Sequence, residues 1–296
     1  LSAAVQDNSL LSFGDTPGNP GLDVLNISAI ADVAHQAGLP LMVDSTFTTP
    51  YLVKPFELGA DIIQHSATKF LSGHGIVIGG LLVDGGHFDW EASGKFPTLT
   101  EPYEGFHNLI FTEEFGPTAF IQRARKEGLR DFGACMAPTS AFHILQGIET
   151  LSVRMNRHVD NTREIVNFLM EHPQVDRVGY PELEGHPDQS LAATLLPKGC
   201  GAVFSFDLAG GRPAGIAFVD ALNVFSHLAN IGDAKSLVIH PASTTHHRMD
   251  AEALAAGGIG EGTIRLSIGL EDIKDLIADL KQGLRAAGKA AGGSRS

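Results

Sequence analysis

The chain is poor in cysteine: Cys135 and Cys200 are the only two in 296 residues, and they form no C-x-x-C pair. That spacing argues against a disulfide scaffold or a zinc ribbon and leaves two inert thiols. Basic residues are scarce as well, with 21 Lys and Arg against 34 Asp and Glu and a formal net charge of −13. So acidic a surface repels a polyphosphate, and no nucleic-acid partner is expected. No apolar run reaches the roughly 18 residues that span a bilayer, and no basic segment precedes an apolar one. No membrane partner and a cytoplasmic location are therefore expected. Aromatic residues make up only 7% of a chain that is 43% hydrophobic, so its cores are mainly aliphatic. The length allows two ordinary domains, or one large α/β domain with an extension. The first residue is Leu1, and nothing in the opening residues reads as the start of a domain. A piece of a longer polypeptide is expected.

What is present reads as alternating helix and strand. In residues 27–37, Ile27, Ile30, Ala31, Ala34 and Ala37 share one helical face, with Asn26 as N-cap and Gly38 past the end. Pro40 stops the helix, and Leu41-Met42-Val43 forms a buried strand ending in Asp44. A helical stretch at 52–58 ends at Gly59, a strand covers 61–65, and 76–83 resembles a third strand. These imply a mostly parallel sheet. Residues 138–171 read as one long helix, or two joined near Gly147, bridging to a second part. There strands at 175–178, 202–208 and 263–268 and helices at 213–222 and 272–284 indicate a smaller α+β domain, followed by a frayed tail from Ala286. The division is placed at 1–160 for the α/β domain and 161–296 for the α+β domain.

Chemistry concentrates at Ser66-Ala67-Thr68-Lys69, where a strand end runs into two hydroxyls and a lysine. Parallel sheets bind ligands at such strand ends. Hydroxyls donate to phosphate, and an unprotonated lysine attacks a carbonyl carbon. Asp44 ends the strand one unit earlier, where its carboxylate suits the ring nitrogen of pyridoxal 5'-phosphate and would keep that electron sink protonated. Alone, Asp44 reads equally well as a helix cap or turn residue, and Lys69 reads more readily as a surface lysine; their order at neighbouring strand ends argues otherwise. In the strand around Thr263, Arg265 alternates with Ile264, Leu266 and Ile268, so its fork leaves the apolar face and can grip a carboxylate. Ser236, in a glycine-marked loop leading into a strand, offers a hydroxyl and an amide to the same carboxylate.

The runs Val43-Asp44-Ser45-Thr46-Phe47, Thr49-Pro50-Tyr51-Leu52, Leu58-Gly59-Ala60-Asp61-Ile62 and His65-Ser66-Ala67-Thr68-Lys69-Phe70 resemble the cysteine/methionine-metabolism family of fold-type I pyridoxal-phosphate enzymes. The segments Ser72-Gly73-His74-Gly75, Lys95-Phe96-Pro97, Leu99-Thr100-Glu101-Pro102, Phe225-Ser226-His227-Leu228-Ala229-Asn230 and His240-Pro241-Ala242-Ser243-Thr244-Thr245-His246 are similar to its O-acetylhomoserine sulfhydrylase branch. The resemblance runs from about Pro17 to the closing helix.

It implies Lys69 as the Schiff-base lysine, Asp44 as ring-nitrogen partner, Ser66 and Thr68 as phosphate ligands, and Asn19 near the phenolic oxygen. Arg265 and Ser236 would hold the substrate carboxylate. It also implies an amino-terminal stretch ahead of Leu1, with a ring-stacking tyrosine, a phosphate loop and residues lent to a neighbouring subunit, none of which is assignable in this chain. A homo-oligomer, or a complementary chain supplying that part, follows from the same resemblance. The implied reaction is γ-replacement on O-acetyl-L-homoserine with sulfide, giving L-homocysteine and acetate. A γ-lyase, a cystathionine synthase, and an incompetent fragment acting only in assembly with another chain are the alternatives. A metal site at His240, His246 and His247 is disfavoured by their spacing and the lack of a completing ligand.

Overall fold

A computed structural model of the chain describes residues 2–18, 22–256 and 258–293. Helix α1 (Ile27–Gln36) forms as its sequence dictates: Ile27, Ala31 and Ala34 are buried, and the Asn26 side chain accepts from the amide of Ala29 at 3.1 Å. Gly38, at φ +67°, ends it. Strand β2 (Leu41–Asp44) follows, with Leu41 and Val43 on the buried face. Parallel pairing joins β2 to β1 (Ser12–Asp15) on one side and to β3 (Ile62–Ser66) on the other. The register sets Asp15, Asp44 and Gln64 level, so β1 and β2 end together and β3 runs on only to Ser66 at the same end of the sheet. Strand β1 is an element the sequence reading does not contain.

The fourth strand, β4 (Gly80–Asp84), is antiparallel to β3. It begins later than the expected 76–83 because Gly79 is already engaged: its amide donates to Thr68 Oγ1 and its carbonyl accepts from the Thr68 amide and hydroxyl. Ile76 and Ile78 are left exposed. The expected helix at 52–58 is instead a single turn, Thr49–Leu52, and a 3-10 turn, Pro55–Leu58.

The bridge is two helices, α2 (Pro138–Glu149) and α3 (Leu151–Met170), meeting at Thr150 rather than Gly147. Gly147 serves a different purpose. A Cβ there would lie 2.3 Å from the carbonyl oxygen of Ser72, so its lack of a side chain lets α2 approach the segment after Lys69. Buried Arg154 of α3 fastens the same contact, donating to the carbonyls of Phe70 (2.8 Å), Leu71 (3.3 Å) and Gly147 (2.6 Å).

The second sheet contains β5 (Val175–Gly179), β6 (Val203–Leu208), β7 (Ser226–His227), β8 (Leu237–Ile239) and β9 (Thr263–Ser267) in the order β5-β6-β9-β8-β7. Helices α4 (Gly211–Asp220) and α5 (Ile273–Gly293) pack together, and Gly283 leaves room for Phe218 and Leu222. Helix α5 continues past the expected fraying point because Ala287, like Leu284, is buried. One apolar cluster runs from Leu41 and Val43 through Met155 and Val159 of α3 to Phe204 and Leu266, so α3 is packed against both sheets. Among the described residues, no helix is long and apolar enough to cross a membrane.

Candidate active site

The level strand ends open into a cavity of about 290 Å³. Asp15, Thr16 and Pro17 line it at the end of β1, Asp44, Thr46 and Phe47 at the end of β2, and Ser66 and Lys69 at the end of β3. The second sheet closes it with Ala229, Asn230 and Ile231 from the β7–β8 loop and with Arg265 from β9. A larger cavity of about 480 Å³ borders β5 but contains none of these groups. The smaller one gathers the convergent polar set expected of a ligand site.

Lys69 sits in a tight turn: its amide donates to the carbonyl of Ser66, and its carbonyl accepts from the amide of Gly73. Its side chain is half-buried, and the ammonium donates to the Asn230 side-chain oxygen. Burial, and then the nearby Arg265 guanidinium, hold the amine below the usual lysine range. Asp44 is oriented at both oxygens, one accepting from the amide of Thr46 (2.9 Å) and the other from Gln64 Nε2 (3.2 Å). Arg265 lies opposite Ser205 and Ile239, in the middle of the second sheet. Its neighbours Ile264 and Leu266 are fully buried, while Arg265 reaches the cavity.

The structure therefore brings Lys69, Asp44, Ser66 and Arg265 together. It does not bring Ser236 or Thr68 to the cavity wall. Ser236 is buried with its amide and hydroxyl both bonded to the Glu271 carboxylate (2.6 and 2.8 Å), and its oxygen accepts from the amide of Gly269. Thr68 gives its proton to Gly79 instead of to the cavity. Asn19 lies outside the described residues. The ring of His240 is occupied at both nitrogens, by Ser243 Oγ and the carbonyl of Glu261, and among the described residues no cluster has the makings of a metal site.

Among the cavity residues with no assigned role in the sequence reading are Asp15 and Asn230. Asp15 ends a four-residue strand, Ser-Phe-Gly-Asp, too short to show a period. Burial, and then the Asp44 charge, raise its carboxyl above the usual aspartate range. Asn230 stands within a quoted motif, but nothing local to it indicates contact with Lys69.

Beneath the lysine turn, His158 is fully buried edge-on to Phe70, with Nδ1 donating to the carbonyl of Ile268 at 2.6 Å. Burial dominates, and the ring titrates at about 4. An unfolded histidine titrates near 6.5, so between about pH 6.5 and 4 only the unfolded chain takes up this proton, and stability falls as pH falls. The loss amounts to about 3 kcal/mol across that window. His158→Gln, whose amide can donate at any pH, is expected to lose less stability than the parent between pH 7 and pH 4.5 in urea titrations. Equal losses would remove His158 as the cause.

The model of the Cys/Met metabolism PLP-dependent enzyme family matches residues 1–285. The chain is 45% identical over 291 residues to an O-acetyl-L-homoserine sulfhydrylase of Leptospira meyeri, covering 95% of this chain and 66% of the relative. It is 47% identical over 268 residues to O-acetyl-L-homoserine sulfhydrylase 1 of Thermus thermophilus, covering 90% and 63%. It thus spans about two thirds of the length of the curated relatives it matches. A crystal structure described as a putative O-acetylhomoserine (thiol)-lyase from Campylobacter jejuni, with N'-pyridoxyl-lysine-5'-monophosphate, superposes with a TM-score of 0.91 at 35% identity, covering 96% of this chain and 68% of that one. The architecture is fold-type I. The strand-end lysine, the sheet order and these relatives agree: the chain belongs to the Cys/Met metabolism PLP-dependent enzyme family.

Proposed function

We propose that the enzyme uses this cavity for γ-replacement, converting O-acetyl-L-homoserine and sulfide to L-homocysteine and acetate. The observation that carries the reading is the convergence of Lys69, Asp44 and Arg265 on one small cavity, in a chain whose relatives bear sulfhydrylase names.

The residues present fit pyridoxal phosphate: an amine held below its usual range, an oriented carboxylate at the neighbouring strand end, and a serine hydroxyl on the wall. When bound, the cofactor supplies the electron sink that stabilises negative charge next to the amino group of the substrate. Asp44 would hold the ring-nitrogen proton, with Thr46 and Gln64 fixing its carboxylate. Ser66 would donate to the phosphate. Thr68 acts from outside the wall, locking the lysine turn to Gly79. Arg265 would bind the substrate α-carboxylate through its planar fork. Lys69 would anchor the cofactor and, once released, move protons at the substrate Cα and Cβ as a general base and acid. Acetate leaves from Cγ and sulfide adds there.

The product distribution tests this reading. With O-acetyl-L-homoserine and sulfide supplied, homocysteine is expected to exceed 2-oxobutyrate; an excess of 2-oxobutyrate would assign the site to elimination instead. Arg265→Lys keeps the charge but loses the fork, so it is expected to raise KM for the amino acid about tenfold or more while cofactor absorbance stays intact. Loss of bound cofactor would instead place Arg265 on the phosphate or in the fold. Exposed Phe142, Leu145 and Val153 on α2 and α3 support the further reading that the enzyme works as a homo-oligomer.

A further inference from the structure

The β7–β8 loop comes from the second sheet, yet it is docked on the lysine turn. Gly232, at φ +73°, lies so close that a Cβ would be 2.7 Å from the amide nitrogen of Phe70. Its own amide donates to Ser267 Oγ at 3.0 Å, and the amide of Ala234 donates to the carbonyl of Gly73 at 2.8 Å. Asn230 is therefore held in a fixed relation to Lys69 although 161 residues separate them in sequence.

The charged groups facing Lys69 are Asp15 from β1, Asp44 from β2 and Arg265 from β9, while the loop contributes the neutral Asn230. The Asp44 oxygens already accept from Thr46 and Gln64. A lysine side chain has four flexible bonds, and an amine next to a guanidinium is repelled when protonated. A carboxamide oxygen accepts from the amine in either protonation state, more strongly from the ammonium, whereas a carboxylate would keep the proton on it.

We infer that Asn230 is the positioning residue for Lys69, its carboxamide oxygen holding the amine in the cavity whenever that amine is not covalently engaged. The inference rests on the reading of Lys69 as the reactive lysine. Asn230 is half-buried on a loop, so its replacement leaves the core untouched.

The test is competitive labelling of the cofactor-free full-length enzyme with acetic anhydride as a function of pH. Peptide mass spectrometry reads Lys69 against Lys54 and Lys198. Asn230→Asp adds a carboxylate that retains the proton, so labelling of Lys69 at neutral pH is expected to fall about tenfold. Asn230→Ala removes the acceptor that favours the ammonium, so labelling is expected to rise by about twofold or more. Opposite signs are the signature, because loosening of the loop would move both variants the same way. Unchanged labelling in both, or changes of the same sign, overturns the inference. Borohydride reduction with pyridoxal phosphate keeps the two readings apart: wild-type enzyme that fixes no pyridoxyl mass on Lys69 defeats the active-site assignment itself. A fixed label with unshifted Asn230 variants defeats only the role of Asn230.

Discussion

Lys69→Ala is expected to lower kcat by about 1,000-fold or more, since general acid–base catalysis alone is typically worth 10²–10⁴-fold. The same change removes the anchoring amine, so borohydride in the presence of pyridoxal phosphate should leave no pyridoxyl mass on the peptide that spans this position. The cost to the fold should be small. Lys69 is half-buried, and the polar atom it leaves behind, the Asn230 oxygen, lies on the cavity wall where water can replace the lysine. A variant that retains near-parental turnover would show that another group performs the proton transfers. A variant that unfolds would point to a structural role for the turn, which Arg154 and Gly147 are positioned to make unnecessary.

Asp44→Asn is expected to cost about 100-fold or more in kcat while leaving the protein folded and partly loaded with cofactor. The local geometry supports the second half of that statement. The new side-chain oxygen can still accept from the amide of Thr46, and the neighbouring Gln64 carboxamide can turn to accept from the new NH2 group. Hydrogen bonding is thereby preserved and the charge alone is lost. Without the negative charge, a protonated ring nitrogen has no counter-ion in this position, and stabilisation of the developing carbanion weakens. Steady-state kinetics with visible absorbance of the bound cofactor separates the two effects. Unchanged kcat would mean that the ring proton does not depend on Asp44. Complete loss of cofactor would mean that the carboxylate contributes to binding more than to the reaction.

Features whose determinants lie within a few residues were legible in the sequence. Helix α1 carries its own stripe and its own cap, and β2 and β3 carry their apolar faces into the polar groups that end them. The cavity-lining residues Asp44, Ser66, Lys69 and Arg265 stand out for the same reason: each sits at or just after a strand end or at an alternating position that local pattern reveals. The second sheet was legible as separate strands, but its order was not. Strand β9 lies between β6 and β8, pairing antiparallel with both, and those partners are about 60 and 25 residues away in sequence, beyond any local pattern.

The fates of the hydroxyl groups were decided elsewhere. Ser236 has the composition of a carboxylate donor, but Glu271, 35 residues later, takes both its amide and its hydroxyl. Thr68 is consumed by Gly79 across the loop that leads to β4. A small side chain donates to the nearest well-aligned acceptor, and chain distance says nothing about which acceptor that is.

By itself, then, the sequence determined the chemistry available to this protein: a strand-end lysine, a carboxylate one unit earlier and an arginine on an alternating strand, since residue type and short-range pattern set what each group can donate, accept or attack. Only the tertiary structure decided which of the candidates meet. It levelled Asp15 with Asp44 through strand register, withdrew Ser236 and Thr68 into private hydrogen bonds, and brought Asn230 to Lys69. The physical reason is that register and the docking of loops follow from burying apolar surface across the whole chain, a sum over distant contacts that no local window contains.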